Sequence, residues 1–398
     1  MYIKMIIRTG IMFLFKLFPL KNRAFFSSFG GNQKSDSPLQ IYRYMKRKYP
    51  ETEVIFHWNQ RKGDPIYLIY CKIKFLFLQA TSTVVVDNLG AGNMFSVNER
   101  YSRRMAEVCR YLSGRKNQKY VTTWHGSPLK RIERDMKRST ISDCIIRQPM
   151  YAILGNTYTA DILRHICFGK IQVELLGSAR NDLLVNRTEK SIISHKKKLK
   201  LPQNKMVGLY APTFRSNTDM TEKYVESSGI EQIGLIQFDR LFRVLTEKFG
   251  GEWVFICRFH HMSVDKVDWE RLEAKYSGQF INGNLHADIA EYLLCSDILI
   301  TDYSSCMFDY ALLDRPVFLF CHDLEHYKNE ERGFYMDINS LPFPVSESFD
   351  ELCNHIKDFD KNVYLEKLEK MKQEMGFCEI GNATAKAGDF IYRLLKDT

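Results

Sequence analysis

The sequence predicts an α/β protein made of two similar halves, each built on a parallel sheet. Three observations predict it. At 398 residues the chain accommodates two domains of ordinary size. Short β-rich runs alternate with helical patterns, as parallel strands joined by crossover helices require. A basic helical stretch followed by Leu-Pro-Gln-Asn, in SIISHKKKLKLPQNK, separates one set of runs from the next. Hydrophobic residues at 45% and charged residues at 26% exclude extensive disorder.

The chain opens with MYIKMIIRTGIMFLFKLFPL, apolar but interrupted by Lys4, Arg8 and Lys16. On a helix these fall with Met12 along one stripe of about a third of the circumference. Phe13, Leu14, Phe15, Leu17 and the isoleucines cover the rest. That is too charged for a spanning helix, and Lys21 and Arg23 stand where signal cleavage would need small residues. Segment 1–22 is therefore expected to lie in the plane of a membrane. The alternative is a helix packed on the protein's own surface with snorkelling lysines.

The first domain is expected over 23–200, with strands at EVIFHW, STVVVDNL, YVTTWHG, YAILGNT and VELLG. The second is expected over 201–398, with strands at MVGLYAPTF, WVFICRFH, DILITD and PVFLFC and helices near 235–249, 287–296 and 304–314. No GxGxxG follows a strand and no Walker loop occurs, which removes dinucleotide and P-loop readings. The cysteines are scattered without a CxxC pair, so they read as reduced core thiols of a cytosolic chain. No His/Cys/Asp cluster has metal-ligand spacing. The formal charge of +10 points to an anionic partner. The basic runs lack the interleaved aromatics of a nucleic-acid binder, leaving a membrane face or a phosphate-rich substrate.

In open parallel sheets ligands sit beyond the carboxyl ends of the strands. Residues there form a phosphate-friendly set: His125, Gly126, Ser127 and Lys130, then Ser178, Arg180, Asn181 and Asp182, then Arg215, then Arg258 and His260, then Thr301, Asp302, Ser304 and Ser305. In DILITDYSSCMFDYALL a buried strand runs into hydroxyls at a helix start, where unpaired N–H groups and the dipole suit a phosphate. Plain N-capping by Ser304 or Ser305 explains the same pattern. Arg258 and His260 point the same way if the chain stays extended there, so they can bind a diphosphate and stabilise a leaving oxygen.

Together these motifs resemble the CDP-glycerol glycerophosphotransferase family of teichoic acid primases and polymerases. WHGSPLK is similar to that family's W-H-G-T-P-L-K, GSARND to its G-x-P-R-N-D, LYAPTFR to its Y-A-P-T-W-R and RFHH to its R-x-H-P. SDILITDYSSCMFDYALLDRPVFLF and HDLEHYKNEERGFYMD resemble its most distinctive block, so the likeness runs from about 120 to 340. Ala179, Phe214 and His261 depart from the pattern, and register with Arg258 favours His260 over His261 as the second site histidine.

The resemblance implies a GT-B-like fold: two Rossmann-like domains with parallel sheets facing across a cleft, the C-terminal one holding the CDP-linked donor. It implies transfer of a polyol phosphate, glycerol before ribitol, to a lipid-linked saccharide or polyol-phosphate acceptor. CMP would be released at the cytoplasmic face of the membrane, without nucleic acid. On this reading His125 is the general base. Arg215, Arg258, His260, Thr301, Ser304 and Ser305 cradle the diphosphate, Ser127 and Lys130 contact phosphate, and no cofactor is required, Mg²⁺ staying open. The rival readings are a nucleotide-sugar glycosyltransferase of the same fold, a basic membrane scaffold without catalysis and a nucleic-acid binder.

Overall fold

The computed structural model describes residues 2–59, 64–89, 112, 114–136, 149–213, 234–259, 269–276, 278–286, 288–331 and 333–397. The chain divides into two units, one of Met1–His125, Glu133–Asp182 and Gly376–Thr398, the other of Gly126–Ile132 and Leu183–Met375.

In the first unit, strands β1 (Lys21–Phe26), β2 (Glu53–Phe56), β3 (Ser82–Asp87), β4 (Lys119–Thr122), β5 (Met150–Leu154) and β6 (Gln172–Leu175) form one sheet in the order β2-β1-β3-β4-β5-β6. Every pair is parallel. The sequence reading missed β1, because KNRAFF follows so closely on the apolar N-terminal run that it passes for its continuation. Successive strand residues take opposite faces. Ala24 and Phe26 join a core with Ile41 and Met45 of the helix Asp36–Lys48 and with Phe390 and Ile391 of the helix Ala383–Lys396. Phe25 meets Phe75 of the helix Pro65–Thr81 with ring centroids 5.3 Å apart.

The N-terminal helix Tyr2–Phe15 packs on Pro65–Thr81, where Phe15 and Phe18 each stand edge-on to Phe77 at 5.3 and 5.5 Å. The part of its polar stripe that holds Arg8, Met12 and Lys16 turns inward. Thr9 and Met12 are buried, Arg8 and Lys16 are half-buried, and Lys16 donates to the carbonyl of Leu112. Ile6, Ile7, Phe13 and Leu14 face outward, continued by Leu17 and Phe18.

In the second unit, β7 (Met206–Tyr210), β8 (Trp253–Cys257), β9 (Phe280–Asn282), β10 (Ile298–Thr301), β11 (Val317–Phe320) and β12 (Val345–Ser346) form a sheet in the order β12-β11-β10-β7-β8-β9. It too is parallel throughout. Strands β9 and β12, with 3 and 2 residues, are too short to give a periodic signal. The expected helices appear as Phe238–Phe249, Ile289–Cys295 and Cys306–Tyr310, the last running into a 3-10 turn, Ala311–Leu313. The basic helix Glu189–Lys198 belongs to this unit, with Lys198 paired to Glu291 at 2.5 Å.

Gly208 on β7 leaves room for its neighbour on β8, since a Cβ there would lie 2.3 Å from the Phe255 ring. Gly208→Ala is expected to cost about 1–3 kcal/mol by overpacking, read as a lower urea midpoint for the second unit. Strand order reverses between β1 and β3 in one sheet and between β7 and β10 in the other. Such reversals are where open α/β sheets bind ligands.

Candidate active site

In the first unit the reversal brings the carboxyl ends of β1, β3 and β4 together. Asp87, the last residue of β3, is fully buried. Its Oδ2 accepts from Ser27 Oγ at 2.5 Å and Gly30 N at 3.2 Å, and its Oδ1 from Leu89 N at 2.7 Å. Asn88 Oδ1 accepts from Phe29 N at 2.7 Å. His125 follows β4, half-buried, with Nδ1 2.9 Å from the carbonyl oxygen of Asn88. Its ring lies beside Trp124, centroids 4.6 Å apart, and 6.3 Å from Phe29.

A carbonyl oxygen can only accept, so Nδ1 is the protonated nitrogen and the neutral ring carries its basic lone pair on Nε2. That is the form a general base needs. Trp124 sits at φ 50° and Gly126 at φ 144°, the sharp turn that presents the imidazole. Asp87 and Asn88 were not singled out in the sequence. The signal was the Asp-Asn pair ending STVVVDNL, just after a buried strand.

Burial pushes the Asp87 carboxyl up to about 7, with Asp36 adding to the shift, against the hydrogen bonds it accepts. A carboxyl raised on folding contributes stability that is fully present below its unfolded value and is lost as pH rises through the folded one. The urea midpoint of the first unit is therefore expected to fall as pH rises from about 4 to about 7 and to level off above that. Asp87→Asn should flatten that fall.

The chain passes into the second unit at Gly126. There Leu129 to Arg131 run beside Gly333 to Tyr335: Tyr335 N donates to Leu129 O at 2.9 Å and Arg131 N to Gly333 O at 3.1 Å. Ser127 is buried, and the Lys130 ammonium lies 5.9 Å from the Tyr327 ring centre. Tyr327 stacks on Tyr303 at 4.0 Å, and Tyr303 Oη donates to Asp323 at 2.9 Å.

Arg258 donates through Nη1 to the carbonyls of Gly283 and His286 at 2.7 and 2.6 Å, anchoring the loop after β9. Burial lowers its pKa. At the β7/β10 reversal Thr301 donates to Ala211 O at 2.7 Å, and Asp302 Oδ1 accepts from Thr213 N and Tyr303 N at 2.8 and 2.6 Å. These two side chains brace the turns that end β7 and β10. Ser304 and Ser305 are half-buried at the start of Cys306–Tyr310. Ser304 Oγ accepts a long 3.5 Å bond from Cys306 N, and Ser305 makes no side-chain cap bond, so conventional N-capping does not account for both hydroxyls. Arg215, His260 and His261 lie outside the described residues.

The segment GSARND serves the C-terminal segment of its own unit. Ser178 N and Asn181 Nδ2 donate to the Glu379 carboxylate at 3.0 and 3.1 Å. Asp182 accepts from Ala383 N and Thr384 N at 2.9 and 2.8 Å, capping the last helix. Arg180 is buried 3.8 Å from Asp36. Gly155 makes room for Glu379, since a Cβ there would lie 2.0 Å from its Oε1. Asp182→Ala is expected to cost about 0.5–2 kcal/mol through the lost cap, read by faster amide exchange in 383–387.

Two Rossmann-like units, each built on a parallel six-stranded sheet, with a histidine, hydroxyls and a guanidinium near their strand ends, give the chain a GT-B-like fold. Residues 11–393 match the family described as CDP-Glycerol:Poly(glycerophosphate) glycerophosphotransferase, and the chain belongs to that family. It is 30% identical over 397 residues to a teichoic acid poly(glycerol phosphate) polymerase of Staphylococcus epidermidis, covering 94% of this chain and 50% of the relative. It is 28% identical over 415 residues to a teichoic acid glycerol-phosphate transferase of Staphylococcus aureus, covering 98% and 99%. The chain thus spans about half the length of the polymerase and nearly all of the transferase. The wall teichoic acid polymerase TagF superposes with a TM-score of 0.75 at 28% identity, covering 100% of this chain and 96% of that one.

Proposed function

We propose that this chain transfers glycerol phosphate from CDP-glycerol to a hydroxyl of a membrane-linked acceptor, releasing CMP, in the synthesis of a teichoic-acid-type polymer. The hydrogen bond from His125 Nδ1 to Asn88 O carries the mechanistic reading, because it leaves Nε2 as a base. The acceptor oxygen attacks the donor phosphorus beside the glycerol while its proton passes to His125 Nε2. The new O–P bond replaces the P–O bond to CMP, which departs with the electron pair. Lys130, Ser127, Ser304 and Ser305, with Arg215, Arg258 and His260, stabilise the diphosphate charge, the larger share of phosphoryl-transfer catalysis. Thr301, Asp302 and the 178–182 segment act by positioning. Among the described residues no group of His, Cys, Asp and Glu has the arrangement of a metal site.

The membrane partner is read from the first unit. No described helix is long and apolar enough to cross a membrane. The helices Tyr2–Phe15 and Pro65–Thr81 pack together and leave apolar side chains outward: Leu17 is 82% and Ile66 78% exposed, with Phe13, Leu14, Ile69, Tyr70 and Ile73 also exposed. Lys72 and Lys74 are exposed on the second helix. Apolar side chains with adjacent cations fit insertion into one leaflet of an anionic membrane, and a cytoplasmic membrane face agrees with the +10 charge.

CMP release tests the reading, with CDP-glycerol and CDP-ribitol assayed separately on a lipid-linked disaccharide primed with glycerol phosphate. Acceptor-dependent CMP from CDP-glycerol alone is expected. CMP from CDP-ribitol alone would reassign the polyol, and release from neither donor would overturn polyol-phosphate transfer.

A further inference from the structure

The turn after β3 does more than cap a strand. Its three successive carbonyls are each taken by a donor from the end of β4 or the loop that follows. Thr123 N donates to Asp87 O at 3.0 Å, His125 Nδ1 lies 2.9 Å from Asn88 O, and Thr122 Oγ1 donates to Leu89 O at 3.0 Å. Thr122 Oγ1 also accepts from Trp124 N at 3.1 Å, so one hydroxyl ties the turn to the residue preceding the histidine. From the other side the turn is held by the loop after β1, through Ser27 and Gly30 on Asp87 and Phe29 N on Asn88.

Asn88 is fully buried, and its Nδ2 has no hydrogen-bond partner among the described residues. A buried amide with an unsatisfied half is costly. What this amide accomplishes is on its other atom, where Oδ1 holds the Phe29 backbone and so the aromatic ring beside the imidazole. Geometry of this kind fixes a ring and its tautomer together.

We infer that Asn88 and Thr122 are positioning residues for His125, selecting the Nδ1–H tautomer and the ring orientation through the Asp87–Leu89 turn. The inference rests on the reading of His125 as general base, and it assigns to the turn a role that neither residue's chemistry alone would announce. Thr122→Val keeps the shape and removes the hydroxyl that ties Leu89 to Trp124. Thr122→Ser keeps the hydroxyl. Asn88→Ala removes the acceptor for Phe29 N.

The test is histidine ¹⁵N NMR of the full chain, with His125→Ala identifying the His125 signals, together with steady-state CMP release. Wild type is expected to show His125 as the Nδ1–H tautomer. Thr122→Val and Asn88→Ala should move it toward Nε2–H and lower kcat by about 10- to 100-fold, as slight misplacement of a reacting group does. KM for the donor should change little, and Thr122→Ser should restore both signals. An Nε2–H tautomer in wild type, or an unchanged tautomer and kcat in a folded variant, would overturn the inference. If one variant does not fold, the other decides the matter. Full activity in His125→Ala would instead sink the general-base reading while leaving the tautomer result standing.

Discussion

Replacing His125 by alanine is expected to lower kcat for CMP release by about 10²–10⁴-fold, the range for a positioned proton acceptor. The side chain is half-buried and its hydrogen bond reaches a main-chain carbonyl, so its loss should leave the sheet intact. Circular dichroism and the urea midpoint should therefore match wild type. KM for the donor should stay within a few-fold, because the mutation removes an interaction made in the transition state. His125→Gln is expected to be as inactive, since an amide cannot take the proton. A variant as active as wild type would remove His125 from the chemistry and turn attention to the other unit.

The second large effect concerns the membrane. Phe13→Glu with Leu17→Glu should release the protein from anionic vesicles. Burying a Phe or Leu side chain contributes about 1.5–3 kcal/mol, so two of them are worth roughly 10²–10⁴ in partitioning. Both residues are exposed, so thermal unfolding should barely move. Co-sedimentation with vesicles containing phosphatidylglycerol measures the change. Arg8 and Lys16 make the informative comparison. They face the protein, and replacing them should lower stability more than vesicle binding. Unaltered sedimentation of the double glutamate variant would mean that this surface does not meet lipid.

The inward turn of Arg8 and Lys16 illustrates what a helical wheel leaves open. The wheel sorts residues into stripes correctly, but which stripe faces the protein depends on what waits there. Here a carbonyl at Leu112 takes the Lys16 ammonium, and Phe77 takes the adjacent aromatics. The helix Pro65–Thr81, which completes the outward apolar surface, drew no notice in the sequence. Its hydrophobic residues cover too much of its circumference to mark one face as exposed.

The site residues divide in the same manner. The position of His125 after β4, of Thr301 at the end of β10 and of Asp302, Ser304 and Ser305 after it follows from buried strands ending in polar residues. The partners of those residues do not. Thr301 and Asp302 turn to Ala211 and Thr213 because β7 is paired beside β10, a neighbour distant in sequence. Asn181 and Asp182 serve Glu379 and the last helix, brought from about two hundred positions further along the chain.

By itself the sequence determined the local and periodic features: the longer strands apart from β1, amphipathic helices, the turn at Gly126 and the motifs that carry the family likeness. These depend on residues within one or two turns of each other, where propensity and patterning act directly. The tertiary structure decided strand order, the two reversals, the short strands β9 and β12 and the face each helix buries. It also decided that the Asn88 carbonyl meets His125. Such features arise from contacts between segments far apart in the chain, and no local pattern encodes which carbonyl a given imidazole will find.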